Sequence, residues 1–128
     1  MNTDERERLN ALSGKVIGAA FKVSNTLGCG FLEKVYENAL VNELRKQGHV
    51  VEQQKAMQVR YDEDVVGEYF ADLVVDGQLI VELKAVSSVE NVHRAQCINY
   101  LKASKLPLCL LMNFSQPRVD VCRIINTE

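Results

Sequence analysis

No stretch of this 128-residue chain is apolar for long enough to span a bilayer, so no membrane partner is expected. The start, Met1-Asn2-Thr3-Asp4-Glu5-Arg6-Glu7-Arg8, lacks the basic-then-apolar form of a secretory signal, and a cytoplasmic location is expected. The four cysteines, Cys29, Cys97, Cys109 and Cys122, include no CxxC pair and no Cys/His grouping with zinc-ligand spacing. They are expected to be small buried thiols in a reducing compartment. Neither sign of charge dominates: 15 Lys+Arg against 17 Asp+Glu leave a net charge of -2. This argues against a broad basic coat for nucleic acid, so any phosphate binding must be local. Also missing are a phosphate-cradling glycine loop, an acid/base pair placed for glycoside or acyl-transfer chemistry, and any repeat, low-complexity tract or interdomain linker.

What remains is a composition of 47% hydrophobic and 25% charged residues, which is that of a folded globular chain with the length of one domain. From Asp4 to about Thr26, Leu9, Leu12, Val16, Ala19, Ala20 and Val23 recur at steps of three and four, the pattern of an amphipathic helix. A second helix is predicted from about Phe31 to Gln47, with Leu32, Val35, Tyr36, Ala39, Leu40 and Leu44 toward the core and Gly48 as its stop. Three short β-rich runs follow, Val50 to Tyr61, Val65 to Val75 and Leu79 to Val86, separated by turn signals that make a meander. Ser87-Ser88-Val89-Glu90 has the form of a capping box opening a third helix to about Ser104. Leu106 to Phe114 reads as a strand buried on both faces and Arg118 to Ile125 as one nearer an edge. The predicted fold class is α/β or α+β, a mixed sheet flanked by helices.

Asp72, Glu82 and Lys84 interrupt the otherwise apolar second and third strands, where aliphatics are usual. Glu82 and Lys84 are two apart and share a strand face. A two-residue Asp76-Gly77 turn would put Asp72 and Glu82 on opposite faces. A three-residue loop, Val75-Asp76-Gly77, pairs Val74 with Gln78 and brings both carboxylates to one side, and this register is the expected one. It leaves Tyr69, Ala71, Leu73, Val75, Leu79, Val81 and Leu83 as a continuous apolar face opposite Glu68, Asp72, Glu82 and Lys84. Hard carboxylate oxygens bind Mg²⁺ or Mn²⁺, and the Lys84 ammonium suits an attacking water or a developing charge on phosphorus. Spacing alone leaves a second reading open, a solvated strand face with an ion pair worth little.

Asp72 followed by Glu82-Leu83-Lys84 on a hairpin resembles the PD-(D/E)XK nuclease superfamily, whose core is a helix, a three-stranded meander, a helix and another strand. Upstream, Gly30-Phe31-Leu32-Glu33-Lys34-Val35-Tyr36 is similar to the G-x-x-E-x-x-Y signature of that superfamily's GxxExxY group. Downstream, Gln96-Cys97-Ile98-Asn99-Tyr100 is similar to the Q-x-x-x-Y element of its exonuclease-like branch. The resemblance runs from about Leu12 to Ile125 and implies a single restriction-endonuclease-like domain over 1–128. It implies metal ligation by Asp72, Glu82 and the backbone carbonyl of Leu83, with Mg²⁺ or Mn²⁺ as cofactor. Lys84 would position or activate water, and Glu33 would complete the metal site or bind a metal-held water. Gln96 and Tyr100 would hold Lys84, a carboxylate or the DNA phosphate. Ala71 stands where the superfamily's name puts proline. The implied activity is metal-dependent hydrolysis of phosphodiester bonds, DNA first.

Other residues have plainer expectations. Tyr36 reads as a core aromatic with a satisfied hydroxyl, Gly30 as a turn residue, Glu37 as a surface charge with a place flanking the metal as its alternative, and His93 as solvent-facing with a phosphate contact as its alternative. Basic residues on the second helix (Lys34, Arg45, Lys46) and third helix (Arg94, Lys102, Lys105) are accounted for by solvated helix faces as well as by nucleic acid. The rival functional reading is a non-catalytic nucleic-acid-binding or structural subunit that keeps the fold. A homodimer through the last strand, or membership of a larger complex, is compatible with either.

Overall fold

The computed structural model describes residues 1–127. In chain order they form α1 (Thr3–Leu27), α2 (Glu33–Lys46), β1 (Val51–Tyr61), β2 (Asp64–Val75), β3 (Leu79–Lys84), α3 (Asn91–Ser104), β4 (Leu108–Asn113) and β5 (Asp120–Ile125). One sheet contains all five strands in the order β1-β2-β3-β4-β5. β3 and β4 run parallel, joined across the sheet by α3, and the other neighbours are antiparallel. The mixed sheet with helices on both faces is the architecture expected of the sequence pattern.

Strand alternation builds two cores. Leu73, Val75, Leu79, Val81 and Leu83 pack against the apolar stripes of α1 and α2, while Val74, Ile80, Cys109 and Leu111 face α3. β3 and β4 are therefore covered on both sides, which is why they read as nearly unbroken apolar runs. The stripe on α1 is the one its spacing predicts. On α2 the buried apolar residues are Tyr36, Leu40, Val41 and Leu44; Leu32 and Val35 are exposed, because the helix begins only at Glu33 and its first turn stands clear of the sheet. The thiols also divide: Cys97 and Cys109 are buried, but Cys29 lies exposed in the α1–α2 turn and Cys122 on β5 is partly open.

That turn is held by Tyr36. Its ring stacks on Phe114 with centroids 4.8 Å apart, and its hydroxyl donates to the Gly28 carbonyl at 2.6 Å and accepts from the Phe31 N–H at 3.2 Å. Gly28 and Gly30 have φ of 69° and 108°, values that glycine adopts without Cβ strain. The tyrosine thus fixes how the chain enters α2, and with it the aim of Glu33 one turn earlier. Tyr36→Phe keeps the packing and loses both bonds, so an equilibrium urea titration should show destabilisation by about 1–2 kcal/mol.

Two local expectations are corrected. The box capping α3 is Glu90 with His93, whose ring accepts from the Glu90 N–H at 3.0 Å, and Ser87 takes no part. The Asn113 side chain bonds both the N–H and the carbonyl of Val86, so the chain leaving β3 is tied to β4 before a helix can begin. His93 is accordingly a capping residue, half-buried. The hairpin loop is Asp76-Gly77-Gln78, one residue later than expected, and Val75 pairs with Leu79. Asp76 adopts a φ of 52° because its carboxylate is gripped by the His49 ring and the Val50 N–H, each at 2.8 Å. Among the described residues no helix is long and apolar enough to cross a membrane.

Candidate active site

The candidate site lies where β2 parts from β3. β2 continues past Ala71 as a two-stranded arm with β1, whereas β3 remains with β4, and the β2–β3 ladder ends at Leu73 opposite Val81. Extending that register sets Asp72 across from Glu82. Their carboxylates replace the missing ladder bonds: the Asp72 N–H donates to Glu82 Oε1 at 2.8 Å and the Leu83 N–H donates to Asp72 Oδ2 at 2.9 Å. The expectation that the loop brings these acids together holds, although through a pairing two residues away from the expected one. In an extended strand the N–H and C=O of one residue point to the same side, so the Leu83 carbonyl faces the gap occupied by Asp72.

The expected continuous apolar face is corrected at the same place. Ala71 packs with Val74 in the α3-side core, and Tyr69 meets Tyr100 of α3 edge-on at 5.7 Å, while Leu73 packs on the opposite side. Residues 71 and 74 share a side only because the alternation slips once between them. The slip falls at Asp72, opposite Gln54, whose φ of 53° leaves it out of the β1–β2 pairing. Glu68 is exposed on the arm, opposite Gln58.

Glu82 is 2% exposed. Burial first, and then the neighbouring Asp72 charge, push its carboxyl up to about 9 against the opposing Asp72 N–H bond and Lys84. Glu33 is half-buried at the start of α2 and is also raised, mainly by burial; Lys84 opposes the shift, and Asp72 and Glu37 add to it. Glu33, Asp72, Glu82 and Lys84 therefore lie within reach of one another's fields. On α3, Gln96 donates to the Tyr100 hydroxyl at 3.0 Å, and that hydroxyl donates to the Phe70 carbonyl at 3.3 Å. Burial and then the Glu82 and Asp72 charges push the Tyr100 phenol up, so it keeps the proton that it donates to the Phe70 carbonyl.

Glu37 is no surface charge: it is 2% exposed and accepts from Lys34 at 2.9 Å, Gln53 at 2.6 Å and Gln54 at 3.1 Å. The same Gln54 amide donates to Asp72 Oδ1 at 3.1 Å, so a carboxylate on α2 is coupled through one side chain to Asp72. The four-residue spacing from Glu33, which places both on one helix side, was the available signal for Glu37; nothing in the sequence marks Gln54. Glu37→Ala removes the acceptor shared by three donors and should cost about 2 kcal/mol in urea denaturation. A loss below about 0.5 kcal/mol would mean that water replaces it.

A family profile of the PD-(D/E)XK nuclease superfamily matches residues 10–124, nearly the whole chain. The chain belongs to the PD-(D/E)XK nuclease superfamily. Among solved structures, the crystal structure of SSO0001 is similar at a TM-score of 0.55 and 16% sequence identity, over 73% of this chain. That likeness concerns the fold alone, and this chain spans about half of that one, 49%. No curated protein matches the chain. Superfamily membership supports a nuclease-like function, and PD-(D/E)XK nucleases generally use divalent metals.

Proposed function

We propose that this PD-(D/E)XK protein, of the GxxExxY group, is a cytoplasmic divalent-metal-dependent phosphodiesterase that cuts DNA. The observation that carries the reading is the Asp72–Glu82 pair at the parting of β2 and β3, with Lys84 ending β3 on the same strand face as Glu82.

The donor set suits Mg²⁺ or Mn²⁺. Two adjacent carboxyls, one of them buried and resisting ionisation beside the other's charge, would ionise together only next to a divalent cation that compensates them. Among the described residues no three His, Cys, Asp or Glu side chains converge as a ready-made cage; a Mg²⁺ site needs only one or two carboxylates, with water and phosphate at its other positions. Asp72, Glu82 and the Leu83 carbonyl would hold the ion, and Glu33 would complete the site or bind its water. Bound there, the ion would neutralise phosphate charge and lower the pKa of a bound water.

The chain's own groups do the rest. The Lys84 ammonium orients and activates the attacking water and steadies charge on the phosphoryl oxygens. Gln96, braced by Tyr100, presents its amide to the substrate phosphate. Gln54 and Glu37 restrain the Asp72 carboxylate. The same carboxylate-to-backbone bonds also favour a second reading, in which Asp72 and Glu82 merely staple diverging strands in a non-catalytic nucleic-acid-binding or structural subunit. Labelled single-stranded and duplex DNA incubated with the protein in Mg²⁺, Mn²⁺ or chelator separates the two. Cutting that needs metal and is lost in Asp72→Ala supports the nuclease; no cutting in either metal by folded protein supports the subunit.

A further inference from the structure

Beyond the catalytic cleft, the β1–β2 arm and α3 enclose two cavities of about 300 and 580 Å³ that share Tyr69 and Asn99. The smaller is lined by Gln96 and by Tyr100, whose phenol feels the charges of Glu82 and Asp72. The larger carries Arg60 from the arm and Lys102 and Lys105 from the end of α3. Sharing Tyr69 and Asn99, the two adjoin as a groove along α3, with Gln96 and Tyr100 at one end and the cations at the other.

Its chemistry departs from the rest of the molecule. In a chain with more acids than bases, none of the described residues lining either cavity is Asp or Glu, while three cations converge from two separate elements. The C-terminal dipole of α3 accounts for a lysine at its end but not for an arginine brought from the hairpin tip. Arg60 is also held in place, donating to Gln58 Oε1 at 2.9 Å and to the Glu63 carbonyl at 3.3 Å, which leaves further guanidinium N–H groups to offer. Between the cations and the site, Tyr69 is 43% exposed, with its ring's edge-on contact to Tyr100 fixing its orientation. A cationic track beside an exposed, oriented aromatic is the arrangement that grips an unpaired strand, phosphates on the cations and a base on the ring.

The geometry points to this groove as a binding site for single-stranded DNA leaving the catalytic cleft, with Tyr69 as base platform and Arg60, Lys102 and Lys105 as phosphate contacts. The inference deepens the nuclease reading and rests on it for the identity of the cleft. It makes the preferred substrate an unpaired strand or a single-stranded extension.

The test measures binding of fluorescent (dT)₁₅ to the full chain in chelator, so that affinity is read without cutting. The Arg60→Glu/Lys102→Glu/Lys105→Glu variant, altered only at exposed positions, should bind at least about tenfold more weakly. Its slope of log affinity against log salt should fall by about 2, because each phosphate neutralised on a single strand contributes about 0.7. Tyr69→Leu should weaken binding about tenfold with the salt slope unchanged. With metal present, the triple variant should raise KM and leave kcat within about twofold. Unchanged affinity and slope in the triple variant overturn the groove, whatever the wild type cuts. An equal loss on a blunt 15-base-pair duplex overturns the single-strand assignment, and preference for r(U)₁₅ overturns DNA. Binding with the expected losses but no cutting in any metal upholds the groove and sinks the nuclease reading instead.

Discussion

Lys84→Ala should lower kcat for metal-dependent DNA hydrolysis by on the order of 10³-fold while leaving the fold intact. Lys84 closes β3, its backbone pairing with Asn113 and its carbonyl accepting from the Phe114 N–H at 2.8 Å, and an alanine keeps these bonds. The side chain is half-buried, and its charge acts on Glu33 and Glu82, the two carboxyls whose ionisation is suppressed. Removing the ammonium takes away an interaction worth more in the transition state than in the ground state, so kcat falls and the substrate KM moves little. Lys84→Arg should rescue poorly, because a planar guanidinium fork cannot reproduce a compact ammonium point charge. Single-turnover rates for wild type, Lys84→Ala and Lys84→Arg check this. Activity of the alanine variant within about threefold of wild type would remove Lys84 from the chemistry.

The second large effect is on stability. The Glu82 carboxyl stays protonated in the folded chain up to about pH 9 but ionises around 4.5 when unfolded. Folding therefore favours the bound proton. The associated stability is fully present below pH 4.5, declines as pH rises and is gone by about 9, with a slope of up to about 1.4 kcal/mol per pH unit. Glu33 is raised as well and adds in the same direction. Asp76 acts at the other end: burial works against its ionisation, but bonds from His49 and Val50 outweigh this and depress it, so its contribution is lost only as pH falls through its folded pKa. Urea titrations between pH 5 and 9 in chelator should show this decline for wild type. Glu82→Gln should remove most of it, and millimolar Mg²⁺ or Mn²⁺ should flatten the wild-type curve because the ion favours the ionised pair. An unchanged slope in Glu82→Gln would contradict the account.

Much of this was legible before any coordinates. Apolar patterning located α1, α2 and the strands, because long stripes such as Leu9 to Val23 and unbroken runs such as Leu108 to Met112 permit few alternatives, whereas α3 was placed by the Ser87 box. Asp72, Glu82 and Lys84 stood out because each sits where burial normally demands an aliphatic. What stayed hidden depends on contacts between distant segments. The loop moved by one residue because His49 and Val50 hold Asp76, and the face changed at Asp72 where Gln54, at a positive φ, drops out of the opposing ladder. The Ser87 box failed because Asn113 tethers Val86 first. Glu37 looked like an ordinary helix-surface acid, since only the approach of β1 brings Gln53 and Gln54 against it.

The central claim is that Asp72 and Glu82 form a cation site and not a structural staple. Titration of Mn²⁺ into the chain at pH 7, followed by calorimetry in buffers of different ionisation enthalpy, tests it without any substrate. One ion should bind per chain with release of about one proton, the one Glu82 gives up. Binding should be lost in Glu82→Gln and kept in Lys84→Ala. Failure of the wild type to bind, or undiminished binding by Glu82→Gln, would contradict the account.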